Sequence, residues 1–333
     1  MSNDLFQKVV DTVQVAGGEG GILNPEQSNR FIDYMWDATS LGQTVRQVRM
    51  TAPVRELDKM DLGERIARHA TEGVDDARNA KPKFSKVQVS TEKIRLDWEL
   101  TSESLEDNIE QGGLEDHIAR LMATQLGNDL EDLAINGDVD WDDSDVDYGL
   151  MSAFDGYRKR SGDAIVLSAG SEGISTALFN RAYKALPRKY KARRGEMRFF
   201  IGSGLLQDYH QKLVEQGLAA GTTVQGVSPA APGQAPMGSG GETGLSAFGI
   251  PLYEVPLFNE ELGDGEDEGY FVLTHPDNHI WGIKRDITVH REFQPKKDAI
   301  EYTVFTRQGV QIDNLEAYVV VEDVVNEDFN AGS

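Results

Sequence analysis

The C-terminal third of this 333-residue chain is predicted to be a succession of β-strands, and this constrains the fold more than any other feature. Val, Ile, Tyr and Phe are concentrated there in short runs that turn residues separate, as in consecutive strands. The runs are Gly269–Thr274, Ile287–Phe293, Ile300–Thr306 and Ala317–Val324, with Ile280–Gly282 between them. Helical patterns occupy much of the middle of the chain, so the expected fold class is α+β.

Composition and charge exclude several classes of protein. No stretch approaches the ~20 apolar residues that a membrane span needs, and Met1–Val15 lacks the basic and apolar regions of a signal peptide. The chain has no cysteine, which excludes disulfides and thiolate chemistry. Its 56 acidic and 33 basic residues give a formal net charge of -23. Such a surface repels nucleic acid on average, and it suits either colloidal stability or a salt-loving host.

The N-terminal segment, residues 1–23, is predicted to be an arm without a core of its own. Four of the five residues in Gly17–Gly21 are glycine, which loses the most backbone freedom on ordering. Pro25 then marks the first turn of a helix. Phe31 and Trp36 lie on the apolar face of that helix, where they contact either the core or a neighbouring subunit.

A long hairpin is predicted between residues 44 and 100. Its alternating apolar positions are Val48, Met50, Ala52 and Val54 on the outgoing side and Val87, Val89, Ile94, Leu96, Trp98 and Leu100 on the return. The phase changes near Ser90–Lys93, which indicates a bulge or twist. The charged connection, residues 58–83, offers little that could form a core, so its tip is expected to pack on another molecule. Its candidate contact residues are Arg65, Arg68, Arg78, Lys81 and Lys83.

A short helix at Glu103–Glu110 and then a long amphipathic helix are predicted to follow. Apolar residues recur with helical spacing from Leu114 to Leu133, and Asn136-Gly137 ends the pattern. An α/β region begins after an acidic link. Its predicted elements are a helix ending before Pro187, a strand at Met197–Ile201, a helix at Leu205–Val214 and a strand at Ile250–Leu257, with loops at Gly226–Gly244 and Asn259–Glu268.

The acidic link at residues 138–147 and a pair of histidines are the candidates for a metal site. The link fails the EF-hand register, because Asp143 stands where glycine is needed and Gly149 where glutamate is needed. A solvated linker is the better interpretation. His275 and His279 have helical spacing, but the proline and asparagine between them indicate a turn, and the glutamate of a zincin motif is absent.

Two further segments resemble catalytic motifs in part. Pro236–Gly249 lacks the ending of a P-loop and the third glycine of a dinucleotide fingerprint. Ser203 lies at a predicted strand-to-helix turn without the nucleophile-elbow spacing, and a helix cap accounts for it. We therefore predict no catalytic, cofactor-binding or metal-binding residue.

Five cations within seven residues form a second candidate contact surface. They are Arg188, Lys189, Lys191, Arg193 and Arg194. Nucleic-acid contact is one interpretation. On so acidic a chain, we favour pairing with an acidic patch of an adjacent subunit, such as the 138–147 run or the 259–268 loop.

The order of these elements and the wording of the last strands resemble the major capsid proteins of tailed double-stranded DNA viruses, of the Hong Kong 97 type. The segments that carry the resemblance are YFVLTHPDNHIWGIKRDITVHREF, IEYTVFTRQGVQIDNLEAYVVVEDV and RFFIGSGLLQDYHQKL. Arm, E-loop hairpin, spine helix, α/β domain and C-terminal strands follow one another in the same order through nearly the whole chain.

This resemblance implies a Hong Kong 97-type fold with discontinuous domains. The peripheral (P) domain would combine residues 24–57, 84–137 and 276–312, with the E-loop tip at 58–83. The axial (A) domain would comprise 148–275 and, at the end of the chain, 313–333. The family's E-loop lysine crosslink is not expected at Lys81 or Lys83, and the short arm favours a separate scaffolding protein.

The implied function is mechanical. Pentamers and hexamers of the chain would form an icosahedral shell that encloses the viral genome in the virion, after assembly in the host cytoplasm. The implied partners are the chain itself, a separate scaffolding protein, a portal, a decoration protein and, through weak non-specific contact, the packaged DNA; no membrane and no cofactor is expected. The acidic surface would then suit a shell lining that does not bind the genome. The alternatives are an encapsulin-type nanocompartment and a metal-dependent hydrolase that uses the acidic run, His275 and His279.

Overall fold

The computed structural model describes residues 21–22, 34–36, 39–61, 69, 83–101, 114–215, 242–262 and 267–326. Several predictions fall outside these residues and stay predictions. They concern the arm before residue 21, Phe31, the E-loop cations Arg65, Arg68, Arg78 and Lys81, the side chain of Lys83, the helix at Glu103–Glu110 and most of the Gly226–Gly244 loop.

The described part of the chain contains strands, helices and short 3-10 turns. The strands are β1 (Gly21–Ile22), β2 (Arg46–Arg49), β3 (Val54–Asp61), β4 (Lys83–Ser90), β5 (Glu92–Thr101), β6 (Ile165–Gly173), β7 (Arg198–Ile201), β8 (Glu242–Ala247), β9 (Ile250–Glu254), β10 (Glu268–Thr274), β11 (His279–Gln294), β12 (Ala299–Ile312) and β13 (Val319–Val325). The helices are α1 (Leu114–Asn136), α2 (Tyr148–Met151), α3 (Tyr157–Arg160), α4 (Thr176–Ala185), α5 (Arg188–Lys191) and α6 (Ser203–Glu215). None of the described helices has the length and apolar character that a membrane crossing needs.

A five-stranded sheet is built around the long antiparallel pair of β11 and β12. β5 pairs with the outer edge of β12, and β1 and β2 both pair with β11, the latter in parallel. The predicted separation of Ile280–Gly282 from Ile287–Phe293 is wrong, since both belong to β11. Two register shifts, at Ile283/Arg285 and Arg285/Thr288, interrupt the alternation, so one strand has the sequence pattern of two.

The predicted outgoing strand of the hairpin is divided into two strands. β2 ends at Arg49 and pairs with β11, whereas β3 begins at Val54 and pairs with β4. The carbonyl of Pro53 accepts hydrogen bonds from the backbone N–H and the hydroxyl of Thr91, both at 2.9 Å. Val54 is consequently exposed, contrary to the predicted half-buried alternation. The predicted phase change on the return side is confirmed, because β4 ends at Ser90 and β5 begins at Glu92.

The predicted long helix is confirmed as α1, which runs for 23 residues from Leu114 to Asn136. At 1.5 Å per residue it is about 35 Å long. Its buried face includes Leu126, Leu130 and Leu133. These side chains share one core cluster with residues of β12 and with one face of a second sheet, so α1 forms part of the core between the two sheets.

The second sheet has six strands in the order β6-β13-β10-β7-β9-β8. One face contributes Phe200, Tyr270 and Val320 to the cluster that contains α1, while the other face packs against α4 and α6. β6 was not predicted from the sequence, because Ser168, Gly170 and three further polar or glycine residues dilute its apolar pattern. Parallel pairing with β13, which no local pattern encodes, makes this segment a strand.

Candidate subunit-contact surfaces

The two-stranded hairpin of β3 and β4 presents a large exposed surface. Its register runs from Val54↔Ser90 to Asp61↔Lys83, and no third strand pairs with it among the described residues. The side chain of Phe84 is 71% exposed and that of Val54 is 44% exposed. Two strands alone bury too little apolar area to be stable in water. The hairpin therefore has the properties of a segment that another molecule covers.

The hairpin is anchored to the body by backbone carbonyls and a small apolar cluster. Lys59 Nζ donates to the carbonyl of Asp313 at 3.0 Å, and Gln311 Nε2 donates to the carbonyl of Gln88 at 2.9 Å. Val89 is buried in a cluster with residues of β2 and β11, against which Leu57 packs. These contacts attach the hairpin to the five-stranded sheet and leave most of its surface exposed.

A buried carboxylate attaches the segment at residues 39–45 to the long helix α1. Glu131 of α1 is 1% exposed. It accepts hydrogen bonds from the N–H of Ser40 at 2.8 Å, the hydroxyl of Ser40 at 2.7 Å and the N–H of Leu41 at 2.6 Å. Burial nevertheless raises the pKa of this carboxyl, although the three hydrogen bonds oppose the shift. Sequence analysis missed Glu131, because a glutamate on a helix gives no sign of burial.

Trp36, a predicted contact residue, packs within its own chain in part. Its ring meets that of Trp281 edge to face, with centroids 5.4 Å apart, and it lies against the cluster that contains α1. The sequence left open whether Trp36 contacts the core or a neighbouring subunit, and these contacts support the core.

A cavity of about 490 Å³ lies between α1 and the segment after β9. Its lining includes Asp129, Glu131 and Asp132, and burial raises the pKa of all three carboxyls. Asp129 accepts from Gln125 Nε2 at 2.6 Å, and Asp132 accepts from Asn136 Nδ2 at 2.7 Å. Asp129 and Asp132 thus have partners in their own helix, whereas Glu131 binds Ser40 and Leu41.

The acidic run at residues 138–147 shapes its own backbone. The carboxylates of Asp138, Asp142 and Asp145 each accept a hydrogen bond from the N–H two residues further on, at 2.9, 2.9 and 3.0 Å. Lys159 Nζ lies 2.8 Å from Asp138 Oδ2. Hydrogen bonding to Lys159 and to the backbone holds the pKa of Asp138 below its usual value despite some burial. The run is a chain of Asx turns, in agreement with the predicted linker.

The two histidines of the hydrolase hypothesis do not converge. His275 precedes a 3-10 turn at Pro276–Asn278, and its Nε2 lies 3.5 Å from Glu196. His279 is the buried first residue of β11, and its Nε2 lies 3.1 Å from the hydroxyl of Tyr318. Among the described residues, no group of three or more side chains has the arrangement of a metal site. The described geometry gives the hydrolase hypothesis no support.

We predict that His279 makes the stability of the fold sensitive to acid. Burial lowers its pKa to about 3, whereas an unfolded histidine titrates near 6.5. The unfolded chain therefore binds one more proton between these values, so stability is retained above pH 6.5 and falls as the pH decreases towards 3, by up to about 1.4 kcal/mol per pH unit. Urea midpoints between pH 7 and pH 5 should decrease less steeply in His279→Phe than in the wild type. Equal slopes would contradict this role.

Ser203 does not cap α6, contrary to the sequence analysis. Its hydroxyl donates to Glu254 Oε1 at 2.8 Å. The carboxylate of Glu260, from the following loop, accepts the N–H groups of Gly204 and Leu205 at 2.9 and 3.0 Å instead. A negative charge at the positive end of the helix is favourable, and it fixes the acidic loop at this end of the sheet. The interaction spans more than fifty residues, so no local motif predicts it.

The basic cluster lies beside the start of β7. Lys189 Nζ lies 2.6 Å from Glu316 Oε2, and Lys191 Nζ donates to the carbonyl of Lys184 at 2.8 Å. The guanidinium of Arg194 lies over the ring of Tyr183, 5.2 Å from its centroid. Part of this cluster is therefore held by its own chain.

Comparison with known proteins gives a consistent result. No protein-family model matches the chain. The chain is 32% identical over 278 residues to the prophage capsid protein YqbE of Bacillus subtilis (strain 168). The matched region covers 81% of this chain and 82% of that protein. The satellite phage P4 procapsid structure superposes with a TM-score of 0.59 at 14% identity, over 90% of this chain and 99% of that chain. The holo-SrpI encapsulin complex from Synechococcus elongatus PCC 7942 gives 0.57 at 10% identity, over 97% and 98%.

The arrangement of hairpin, spine helix and two sheets is that of a shell protein with the Hong Kong 97 fold, as the resemblance implied. The level of identity with YqbE goes beyond a shared fold. The chain belongs to the family of tailed-phage capsid proteins.

Proposed function

We propose that this chain is the major capsid protein of a tailed phage or prophage and assembles as pentamers and hexamers into an icosahedral shell around double-stranded DNA. The observation that carries the proposal is the 32% identity to a prophage capsid protein over 278 residues. In this shell, residues 24–57, 84–137 and 276–312 form the P domain, and residues 148–275 and 313–333 form the A domain. The function is mechanical, and the chain is not an enzyme.

The exposed hairpin supports self-assembly. Phe84 and Val54 lie on a two-stranded ribbon without a described third strand, and a neighbouring subunit would cover them. Each copy then contributes several weak contacts, and their number stabilises the shell. The net charge of -23 suits a lining that does not bind the genome tightly.

The partners follow from assembly of such a shell. A separate scaffolding protein, a portal and a decoration protein are proposed, and DNA is contacted weakly and without sequence preference. Assembly takes place in the host cytoplasm, and the product is the virion.

An encapsulin-type nanocompartment is the second candidate, because an encapsulin superposes over 97% of this chain. The two candidates differ in content. Particles isolated from cells that carry the gene should protect DNA from nuclease if the chain is a viral capsid protein. Particles that contain an enzyme and no protected DNA would support the encapsulin function instead.

The size of the purified protein tests self-assembly. Sedimentation and negative-stain microscopy should show rings of about 184 or 221 kDa, which are five and six times the 36.8 kDa subunit, or closed shells. The reason is that the exposed hairpin, although anchored at its base, gains stability when a neighbouring subunit covers it. A monomer of 36.8 kDa at every concentration tested, also after co-expression with the scaffolding protein encoded beside it, would contradict the proposal.

A further inference from the structure

One end of the six-stranded sheet, the basic end, carries a cluster of cations, although the carboxylates Glu196, Asp277 and Glu316 also lie at this end. Arg198 begins β7 opposite Thr274, the last residue of β10. The five-cation cluster, residues 188–194, immediately precedes this position and contacts the segments that begin or end the neighbouring strands. Tyr190 accepts from Asn314 Nδ2 at 2.6 Å, before β13, and the guanidinium of Arg194 lies near Gly249, before β9. The ends of β7, β9, β10 and β13 at this side of the sheet therefore lie near the cluster.

The opposite end of the same sheet is acidic. β10 begins there and β13 and β6 end there, with Glu268 opposite Val325 and Glu172 opposite Val324. The carboxylates that the structure describes at this end are Glu172, Glu254, Glu260, Glu261, Asp267, Glu268, Glu322 and Asp323. Glu260 holds the acidic loop to the start of α6, which keeps that loop at this end.

The acidic end has a cleft that is suited to bind a guanidinium group. A cleft of about 160 Å³ is lined by Arg158, Leu262, Glu268, Tyr270, Glu322 and Asp323, so three carboxylates face one cation. An arginine can form paired hydrogen bonds with a carboxylate and keeps its charge at every physiological pH. The cleft thus combines an excess of negative charge with an apolar wall.

The two ends cannot meet within one chain. A strand of six or seven residues separates them by about 20 Å, since each residue advances roughly 3.3 Å. Within the described residues, Arg188 and Arg193 form no ion pair and both are exposed. When copies are related by rotation, the basic end of one copy can face the acidic end of the next. A head-to-tail ring requires two different, complementary surfaces of this kind on each copy.

We infer that the basic end of the six-stranded sheet of one copy, through Arg188 and Arg193, docks on the acidic end of the same sheet of the next copy around a ring. The inference rests on the proposed function and specifies its contact. It also chooses between the two acidic partners that the sequence left open. Carboxylates in both places accept hydrogen bonds from their own chain, but only the acidic end combines three of them with an apolar wall in a cleft.

Charge reversal and its compensation test this contact. The double variant Arg188→Glu/Arg193→Glu places like charges opposite each other, and we expect the concentration needed to form rings or shells to rise at least tenfold. Adding Glu261→Arg and Asp267→Arg to the same chain places two cations beside the cleft, opposite the introduced glutamates, so assembly should recover a large part of the loss. Both added positions are exposed. The matched control adds Asp140→Arg and Asp143→Arg in the acidic run instead, which should restore nothing.

The outcomes separate the contact from the proposed function. Wild-type protein that never assembles, even when the scaffolding protein is co-expressed, contradicts the proposed function itself. Wild type and the double variant assembling equally well would overturn the contact alone. Rescue by the acidic-run control but not by Glu261→Arg/Asp267→Arg would overturn it in favour of the 138–147 run. Loss of DNA retention at unchanged assembly would assign the arginines to nucleic acid. Far-ultraviolet circular dichroism of each variant must match wild type, so that misfolding is recognised.

Discussion

Replacing Gly309 by alanine is expected to destabilise the subunit by about 3 kcal/mol and to abolish shell formation. A Cβ at this position would overlap the carbonyl oxygen of Ser90 and lie 3.0 Å from its carbonyl carbon and 3.2 Å from the Cα of Thr91. All three are backbone atoms at the junction of β4 and β5, so no side chain can rotate to make room. The base of the hairpin must move, and the hairpin is the surface that we propose a neighbouring subunit covers.

A series of glycine substitutions tests this explanation. Gly282 faces Gly309 across the pair of β11 and β12, but its Cβ would meet the side-chain atoms Met50 Sδ and Val89 Cγ1, each at 2.7 Å, which can adjust. Gly149 has open space around it. We expect Gly309→Ala to lower the urea midpoint and the yield of shells most, Gly282→Ala less and Gly149→Ala hardly at all. Similar midpoints for Gly309→Ala and Gly149→Ala would show that the backbone contact is unimportant.

Replacing Glu131 by alanine is expected to cost about 3 kcal/mol of stability, because buried donors would lose their acceptor. The N–H groups of Ser40 and Leu41 and the Ser40 hydroxyl all donate to this carboxylate. Burial of the charge, visible in its raised pKa, offsets part of the gain from these bonds, so the loss should be smaller than three charged hydrogen bonds would suggest. The segment around residues 39–45 should separate from α1 before the rest of the subunit unfolds.

Hydrogen exchange and tryptophan fluorescence measure this separation. Amides from residue 39 to β2 should exchange faster in Glu131→Ala, and the fluorescence of the Trp36–Trp281 pair should change at lower urea concentration. Glu131→Gln keeps one acceptor oxygen and should lose roughly half as much stability. Asp129→Asn, on the same helix, is the control and should stay within about 0.5 kcal/mol of wild type. Unchanged exchange around residue 40 in Glu131→Ala would refute the role of this carboxylate.

The particular elements show where sequence patterns were sufficient. The helix α1 could be predicted to within a few residues, because its apolar face repeats over six turns and a glycine follows its end. β10 and β13 were recognised because consecutive buried residues, largely aromatic or aliphatic in β10 and valine in β13, make a strong local signal. In β11, by contrast, two bulges hid one strand behind the pattern of two, and β6 has too many polar and glycine residues to be seen without its partner β13.

For the candidate contact surfaces too, some features could be predicted from the sequence and others depended on the fold. The cations at residues 188–194 and the acidic loop at 259–268 are plain in the sequence, but that they lie at opposite ends of one sheet depends on strand order. Glu131 and Glu260 stabilise the fold through contacts 90 and more than fifty residues away, and neither belongs to a local motif.

The sequence by itself determined the class of fold, the order of hairpin, spine helix and strands, and the acidic character. These follow from local periodicity and composition, which each segment carries regardless of its neighbours, and the wording of the last strands carried the resemblance to capsid proteins. The tertiary structure alone decided which strands pair, which carboxylates are buried and where the charges of the six-stranded sheet lie. These depend on contacts between residues far apart in the chain, and their free energies exist only once packing brings the groups together.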